Sequence, residues 1–130
     1  TPIGVFVGVS YTDPNTNQKT FSQTYPASTV ASDISAYVVD DPYLEMQMQG
    51  DASLAQTALG NNVAVVQTAG STTIGRSKNA VDSSTIATTN TLPLRIMEFV
   101  DGPDSSVGDS FTDVIVKFNA GHQLDNTTGV

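Results

Sequence analysis

The sequence has no cysteine and no tryptophan, and it contains a single histidine. Without cysteine, a disulfide framework and a cysteine-ligated zinc site are both excluded. Lys and Arg number 5 against 13 Asp and Glu, a net charge of −8, so the chain repels nucleic-acid phosphate and anionic membrane surfaces. The longest apolar runs extend over a few residues, which predicts no transmembrane helix and no signal peptide. We therefore expect neither nucleic acid nor membrane among its partners.

Charge is also sparse. Charged residues make up 14% of the chain, against roughly 25% in typical globular domains, whereas Ser and Thr supply 30 of the 130 residues. A chain of 130 residues has the length of one domain and is long enough to bury a core. The expected organisation is a single β-rich domain over residues 1–130, with extended arms at 1–3 and 121–130.

Alternation of apolar and polar residues is the dominant pattern and predicts short strands. A turn cluster at 13–17 joins two alternating segments into a hairpin, and a second pair is expected around the turn at 40–42. The predicted strands cover residues 3–11, 19–25, 34–39, 43–49, 63–66, 92–100 and 111–118. One predicted core between β layers contains Val5, Val7, Val9, Val114, Val116 and Phe118. Many short strands separated by turns favour an all-β fold, an antiparallel β-sandwich or barrel.

At most one short helix is expected, near residues 51–59. Asp51 can cap its first turn, Gly60 can end it in the left-handed conformation, and Leu54, Ala58 and Leu59 give it an apolar stripe. These signals predict about two turns of α-helix.

One segment imitates a phosphate-binding loop. The pattern Gly70-x-x-x-x-Gly75-Arg76-Ser77 fits the G-x-x-x-x-G-K-[ST] template except at the lysine, whose point charge a planar guanidinium does not replace. The Ser-, Thr- and Asn-rich residues after Ser77 favour turns rather than the helix that must hold the phosphate. We interpret this segment as a glycine-punctuated loop between strands.

Catalytic groups are few. A hydrolase triad would depend on His122, which precedes a polar tail. Paired carboxylates for sugar hydrolysis could come from Asp40, Asp41, Glu45, Glu98, Asp101, Asp104, Asp109 and Asp113. The stronger interpretation is that Asp40, Asp41 and the stretch 101–109 form turns. The sequence therefore predicts a protein that is not an enzyme and has no cofactor.

Metal sites are also weakly indicated. Residues 13–17 imitate the start of a calcium loop, but Gln18 and Thr24 occupy the positions that require Gly and Glu. The acidic stretch 101–109 could hold calcium through backbone carbonyls, although solvated turn carboxylates are the simpler interpretation. Asn126 begins a formal glycosylation sequon. No metal site is predicted.

Nearly the whole chain resembles the small structural proteins of tailed phages, particularly those of short-tailed marine viruses. The resemblance is carried by GVFVGVSYTDPN, VASDISAYVVDDPYLEMQMQGDASLAQTALGNN, VVQTAGSTTIGRSKNAVDSSTIATTNTLPLRI and FTDVIVKFNAGHQLDNTTGV. It implies a virion protein, most like a decoration or cement protein on the capsid surface. Such proteins are β-rich and oligomeric, and the resemblance brings no catalytic residues with it.

The partners that the resemblance implies are the major capsid protein and further copies of the chain, as a trimer or dimer. Termini that can cross to a neighbour place the expected interface at Thr1, Pro2, Ile3, Leu124 and Val130. Two alternatives stay open at this point. One is a carbohydrate- or receptor-binding β-sandwich module of a fibre, and the other is a virion protein at the tail or portal junction.

Overall fold

The computed structural model describes residues 2–119 and 128–129, and its regular structure is all-β with antiparallel sheets. The chain forms two compact units. The smaller contains residues 4–40 and 69–78, and the larger contains the remaining described residues. Among the described residues, no helix is long and apolar enough to span a membrane.

The smaller unit is built on a three-stranded sheet. Its strands are β1 (Val5–Thr12), β2 (Lys19–Ser22) and β3 (Ser35–Val39), in the order β2-β1-β3. The predicted hairpin is confirmed as β1–β2. Its turn is closed by the Asp13 N–H, which donates to Gln18 O at 2.9 Å, and Asn17 has a φ of 55°, as expected of a residue type that tolerates the left-handed region.

A β-bulge interrupts the predicted valine stripe of β1. Phe6 pairs with Val38 and Gly8 pairs with Tyr37, so that Val7 has no opposite residue on β3. Because an extra residue inverts the alternation that follows it, Val7 is 52% exposed whereas Val9 is 2% exposed. The prediction that these valines share one core is therefore wrong, and none of the β1 residues belongs to the main core cluster.

The larger unit contains a four-stranded antiparallel sheet and a two-stranded ribbon. The sheet is formed by β4 (Glu45–Gln49), β5 (Asn62–Val63), β8 (Leu94–Phe99) and β9 (Asp113–Phe118), in the order β4-β9-β8-β5. The ribbon pairs β6 (Val65–Val66) with β7 (Ala80–Val81). The sheet is open at both ends, so the arrangement is sandwich-like and not a closed barrel.

The core of the larger unit follows the alternation predicted for β9. Val114, Val116 and Phe118 are buried, and Met46 and Met48 of β4 pack against them from the adjacent strand. The remaining buried members are Leu54, Ala58, Val63, Val81, Leu94 and Ile96. Burial of these side chains removes apolar surface from water, which is the main stabilising term of the unit.

The second predicted hairpin does not form. β3 pairs with β1, and β4 pairs with β9, although both segments were correctly predicted as strands. The turn at Pro42 and Tyr43, where the Leu44 N–H donates to Asp41 O at 3.1 Å, changes the direction of the chain, but a turn does not determine which strands pair.

The expected α-helix near 51–59 is replaced by a single 3-10 turn, Gln56–Ala58. The Asp51 side chain does not cap this turn, since it accepts the Ser83 N–H at 2.9 Å, and this hydrogen bond lowers the pKa of Asp51. Gly60 has the predicted positive φ, 79°. A second 3-10 turn spans Ser83–Thr85.

Candidate functional site

The segment that imitates a phosphate-binding loop folds as a tight turn of the smaller unit. The Ser71 N–H donates to Arg76 O at 2.9 Å, and the Gly75 N–H donates to Ser71 O at 2.8 Å. Gly75 has a φ of 66°, which glycine adopts without steric cost. The next regular element is the two-residue strand β7, so the loop does not lead into the helix N-terminus that a phosphate site requires.

This turn forms one side of an open groove of about 570 Å³, lined by residues 24–27 and 70–77. A side chain at Gly75 would lie 2.8 Å from the Thr24 Cγ2, so glycine allows the two sides to approach. The Tyr25 ring meets the Tyr11 ring edge to face, with centroids 5.3 Å apart, and its hydroxyl donates to Thr29 O at 2.6 Å. The sequence did not indicate this groove, because its two sides are distant along the chain.

The chemistry of the groove is that of a binding surface. Arg76 is exposed there beside the hydroxyl-bearing residues Ser71, Thr72 and Thr73. These groups can donate hydrogen bonds to oxygens of a polar ligand. None of the residues that line the groove is a carboxylate, a cysteine or a histidine.

The predicted carboxylate candidates lie in separate turns and strands. Asp41 accepts the Tyr43 N–H at 2.9 Å, Glu45 of β4 lies opposite Lys117, and Asp109 accepts the Ser106 N–H at 2.8 Å. Asp13 likewise accepts the Asn15 N–H at 2.8 Å. The hydrogen bonds of Asp41, Asp109 and Asp13 stabilise local backbone, as is usual for turn carboxylates.

No metal cluster forms within the described part of the chain, where no group of three or more His, Cys, Asp or Glu side chains comes together. The acidic stretch 101–109 folds around a short bridge between Gly102 and Ser105. His122 and Asn126 lie outside the described residues.

Of the predicted interface residues, two are described. Pro2 is half-buried and Ile3 is 68% exposed, whereas Thr1, Leu124 and Val130 lie outside the described residues. The two described residues near the C-terminus contact the larger unit, where the Arg95 guanidinium donates to Thr128 O and the Gly129 N–H donates to Thr88 O at 2.9 Å. The interface assignment stays a prediction.

β3 is one of the two edge strands of the three-stranded sheet, and it is exposed along its whole length. Tyr37, Val38 and Val39 are 48%, 43% and 37% exposed, although three consecutive apolar residues favour a strand that is buried on at least one face. Phe6 and Val7 on β1 are exposed as well. We call this set, Ser35–Val39 with Phe6 and Val7, the β3 surface. Because successive side chains of a strand point to opposite faces, the β3 surface exposes apolar side chains on both faces of this edge.

A cluster of hydrogen bonds around the Asp33 carboxylate lies at one end of the β3 surface. The Asp33 carboxylate accepts hydrogen bonds from the Thr12 hydroxyl at 2.7 Å, the Thr12 N–H at 2.9 Å and the Lys19 ammonium at 3.1 Å. These hydrogen bonds, those from Thr12 first, hold the pKa of Asp33 well below its ordinary value. The cluster fixes the residues that lead into β3 against the β1–β2 hairpin.

Comparison of the chain with protein-family models, with curated proteins and with solved structures finds no match. The site therefore rests on its own geometry.

Proposed function

We propose that the chain is a non-enzymatic structural protein of a phage virion, which binds to the outside of the head as a decoration or cement protein and stabilises the shell through protein–protein contacts. The proposed partners are the major capsid protein and further copies of the chain, and the proposed location is the capsid surface.

The observation that carries the proposal is the β3 surface. This surface exposes apolar side chains on the smaller unit, where a protein partner can contact them. Charged residues make up 14% of the chain. A sparsely charged surface lowers the cost of desolvation when proteins associate, since burial of unpaired charge is expensive. The resemblance to tailed-phage structural proteins supports the same role.

Copy number tests the location. In purified virions of the phage that encodes the chain, quantitative mass spectrometry should find it in a fixed ratio to the major capsid protein, as a protein that tiles the shell requires. A few copies per virion would contradict decoration of the head and assign the chain to the tail or portal junction.

Thermal release of DNA tests the cementing role. A ligand that binds the assembled shell alone stabilises it by RT ln(1 + [L]/Kd), about 2.7 kcal/mol at a hundredfold excess over Kd. Particles stripped of the protein should therefore release DNA at a lower temperature, and re-addition of the purified chain should restore the original value. An unrelated acidic protein of similar size is the control. Equal release temperatures for stripped and intact particles would refute cementing.

The groove favours a second candidate, recognition of a carbohydrate or receptor. It places Arg76 and Tyr25 beside several hydroxyl groups, and such polar and aromatic groups orient sugar ligands. On a glycan array this function predicts saturable binding of the full chain that Arg76→Ala abolishes and that Lys78→Ala, outside the groove, preserves. Absence of binding would remove this candidate.

A further inference from the structure

We propose that β3 accepts an extended segment of the partner protein as a fourth strand of the three-stranded sheet, and that this segment carries Lys or Arg where it meets Asp40, at the C-terminal end of β3. The inference rests on the proposed function, since it gives the chemistry of the capsid partner.

The first support is the hydrogen bonding of β3. Its backbone pairs with β1 alone, and within the described chain no other strand or side chain hydrogen-bonds to the backbone of Ser35–Val39. An edge strand of this kind presents a row of N–H and C=O groups that can template another chain. Addition of a strand to such an edge is a recurrent mode of peptide recognition.

The second support is the composition of the edge. Natural edge strands are protected by charged side chains or proline, and the other long edges of this protein carry such a charge: Lys19 on β2 and Glu45 on β4. β3 has the sequence SAYVV, without a charge or a proline. It is therefore the edge that the protein leaves open to pairing.

The third support is electrostatic and selects the occupant. Asp33 precedes β3 and is paired with Lys19, whereas Asp40 follows β3 and forms no ion pair among the described residues. Antiparallel pairing of β3 with β3 of a second copy, centred on Tyr37, would bring the acidic ends of the two strands together, and like charges in register are destabilising. A segment with a basic residue beside Asp40 meets opposite charge instead.

The test uses the full chain and a capped peptide, Lys-Thr-Val-Thr-Val-Thr-Lys, with a Glu-flanked version of the same peptide as the charge control. Binding is followed by NMR shifts and amide hydrogen exchange of the labelled chain. We expect saturable binding of the Lys-flanked peptide and slowed exchange confined to residues 35–39. The Glu-flanked peptide should bind more weakly, and added salt should reduce the difference.

Variants locate the effect. Val38→Lys places a charge on the open edge and should abolish binding, whereas Val30→Lys makes the same change at an exposed residue of the smaller unit outside the β3 surface and should preserve it. Asp40 lies outside the strand, and Asp40→Asn should weaken binding of the Lys-flanked peptide about two- to fivefold, the range of an exposed ion pair. Circular dichroism verifies folding, and Asp40→Asn decides the question if Val38→Lys does not fold.

Three results would overturn the proposal. The first is no saturable binding up to about 1 mM peptide, the weak end of specific recognition. The second is equal affinity for the two peptides or protection outside β3. The third is a wild-type dimer in sedimentation that Val38→Lys dissociates, which would assign the edge to a second copy. None of these results affects the copy number of the chain in the virion, so strand addition and the proposed function can be refuted independently.

Discussion

Val7 and Val9 have the same side chain on the same strand, yet they should respond very differently to truncation. A Val→Ala change removes two methyl groups, each worth about 0.8 kcal/mol when buried. For Val9, 2% exposed, this gives about 1.6 kcal/mol, and the cavity raises the expected loss to about 2–3 kcal/mol. For Val7, 52% exposed at the bulge, the loss should stay below about 0.5 kcal/mol.

Urea denaturation measures the difference. Without tryptophan, emission comes from tyrosine, and three of the four tyrosines, Tyr11, Tyr25 and Tyr37, lie in the smaller unit. With a slope of about 2 kcal/mol per molar urea, Val9→Ala should lower the midpoint by about 1 M, and Val7→Ala by less than about 0.3 M. Equal losses, or a larger loss for Val7→Ala, would refute the bulge and restore the simple alternation of β1.

Three further outcomes follow from burial, backbone and charge. Phe118→Ala should cost about 3–5 kcal/mol in a denaturant melt, whereas Phe111→Ala, at an exposed residue, should cost little; similar costs would contradict the core assignment. Gly75→Ala should lower the free energy of unfolding by about 1–2 kcal/mol because Gly75 has a positive φ. Gly102→Ala, at a glycine with open space around it, should leave the free energy of unfolding unchanged. Equal thermal melts for the two variants would show that the turn is formed differently. Because folding lowers the pKa of Asp33, its stabilising contribution is present above the unfolded pKa of about 4 and fades as pH falls through the folded value. Melts of wild type and Asp33→Asn should therefore differ at neutral pH and converge in acid, and a constant difference would contradict this linkage.

The parts of the fold that local chemistry determines could be predicted from the sequence. The β1–β2 hairpin depends on the turn at 13–18, where the Asn17 N–H donates to Asp13 O and the Asp13 N–H donates to Gln18 O. The core face of β9 depends on strict alternation, which places Val114 and Val116 inward. In both cases the deciding interactions lie within a few residues of one another.

The errors concern interactions between residues far apart in the chain. Residues 51–59 carry good helix signals, but the Asp51 N–H donates to Val81 O and the Leu54 N–H donates to the Thr112 hydroxyl. These contacts hold the segment extended, and helix propensity is too weak to compete with tertiary contacts. The pairing of β4 with β9 is of the same kind, because a strand pattern does not specify its partner.

The candidate sites were missed for a related reason. Alternating Tyr37 and Val39 favour a buried face, and sequence patterning does not distinguish a face covered by the same chain from one left for a partner. What the sequence does show is the absence of charge between Asp33 and Asp40, which separates β3 from the edges that carry Lys19 or Glu45. An uncharged strand between acidic residues is thus a readable sign of an open edge.

The charge of the whole chain bears on the strand addition proposed at this edge. An exposed, uncharged strand favours edge-to-edge association of identical copies, but each copy has a net charge of −8 and acidic residues at both ends of β3. Repulsion between copies opposes that association, and the same charge attracts a basic partner over a distance set by ionic strength. In the proposed strand addition, backbone groups would supply the affinity, and Asp40 would favour a basic segment over β3 of a second copy.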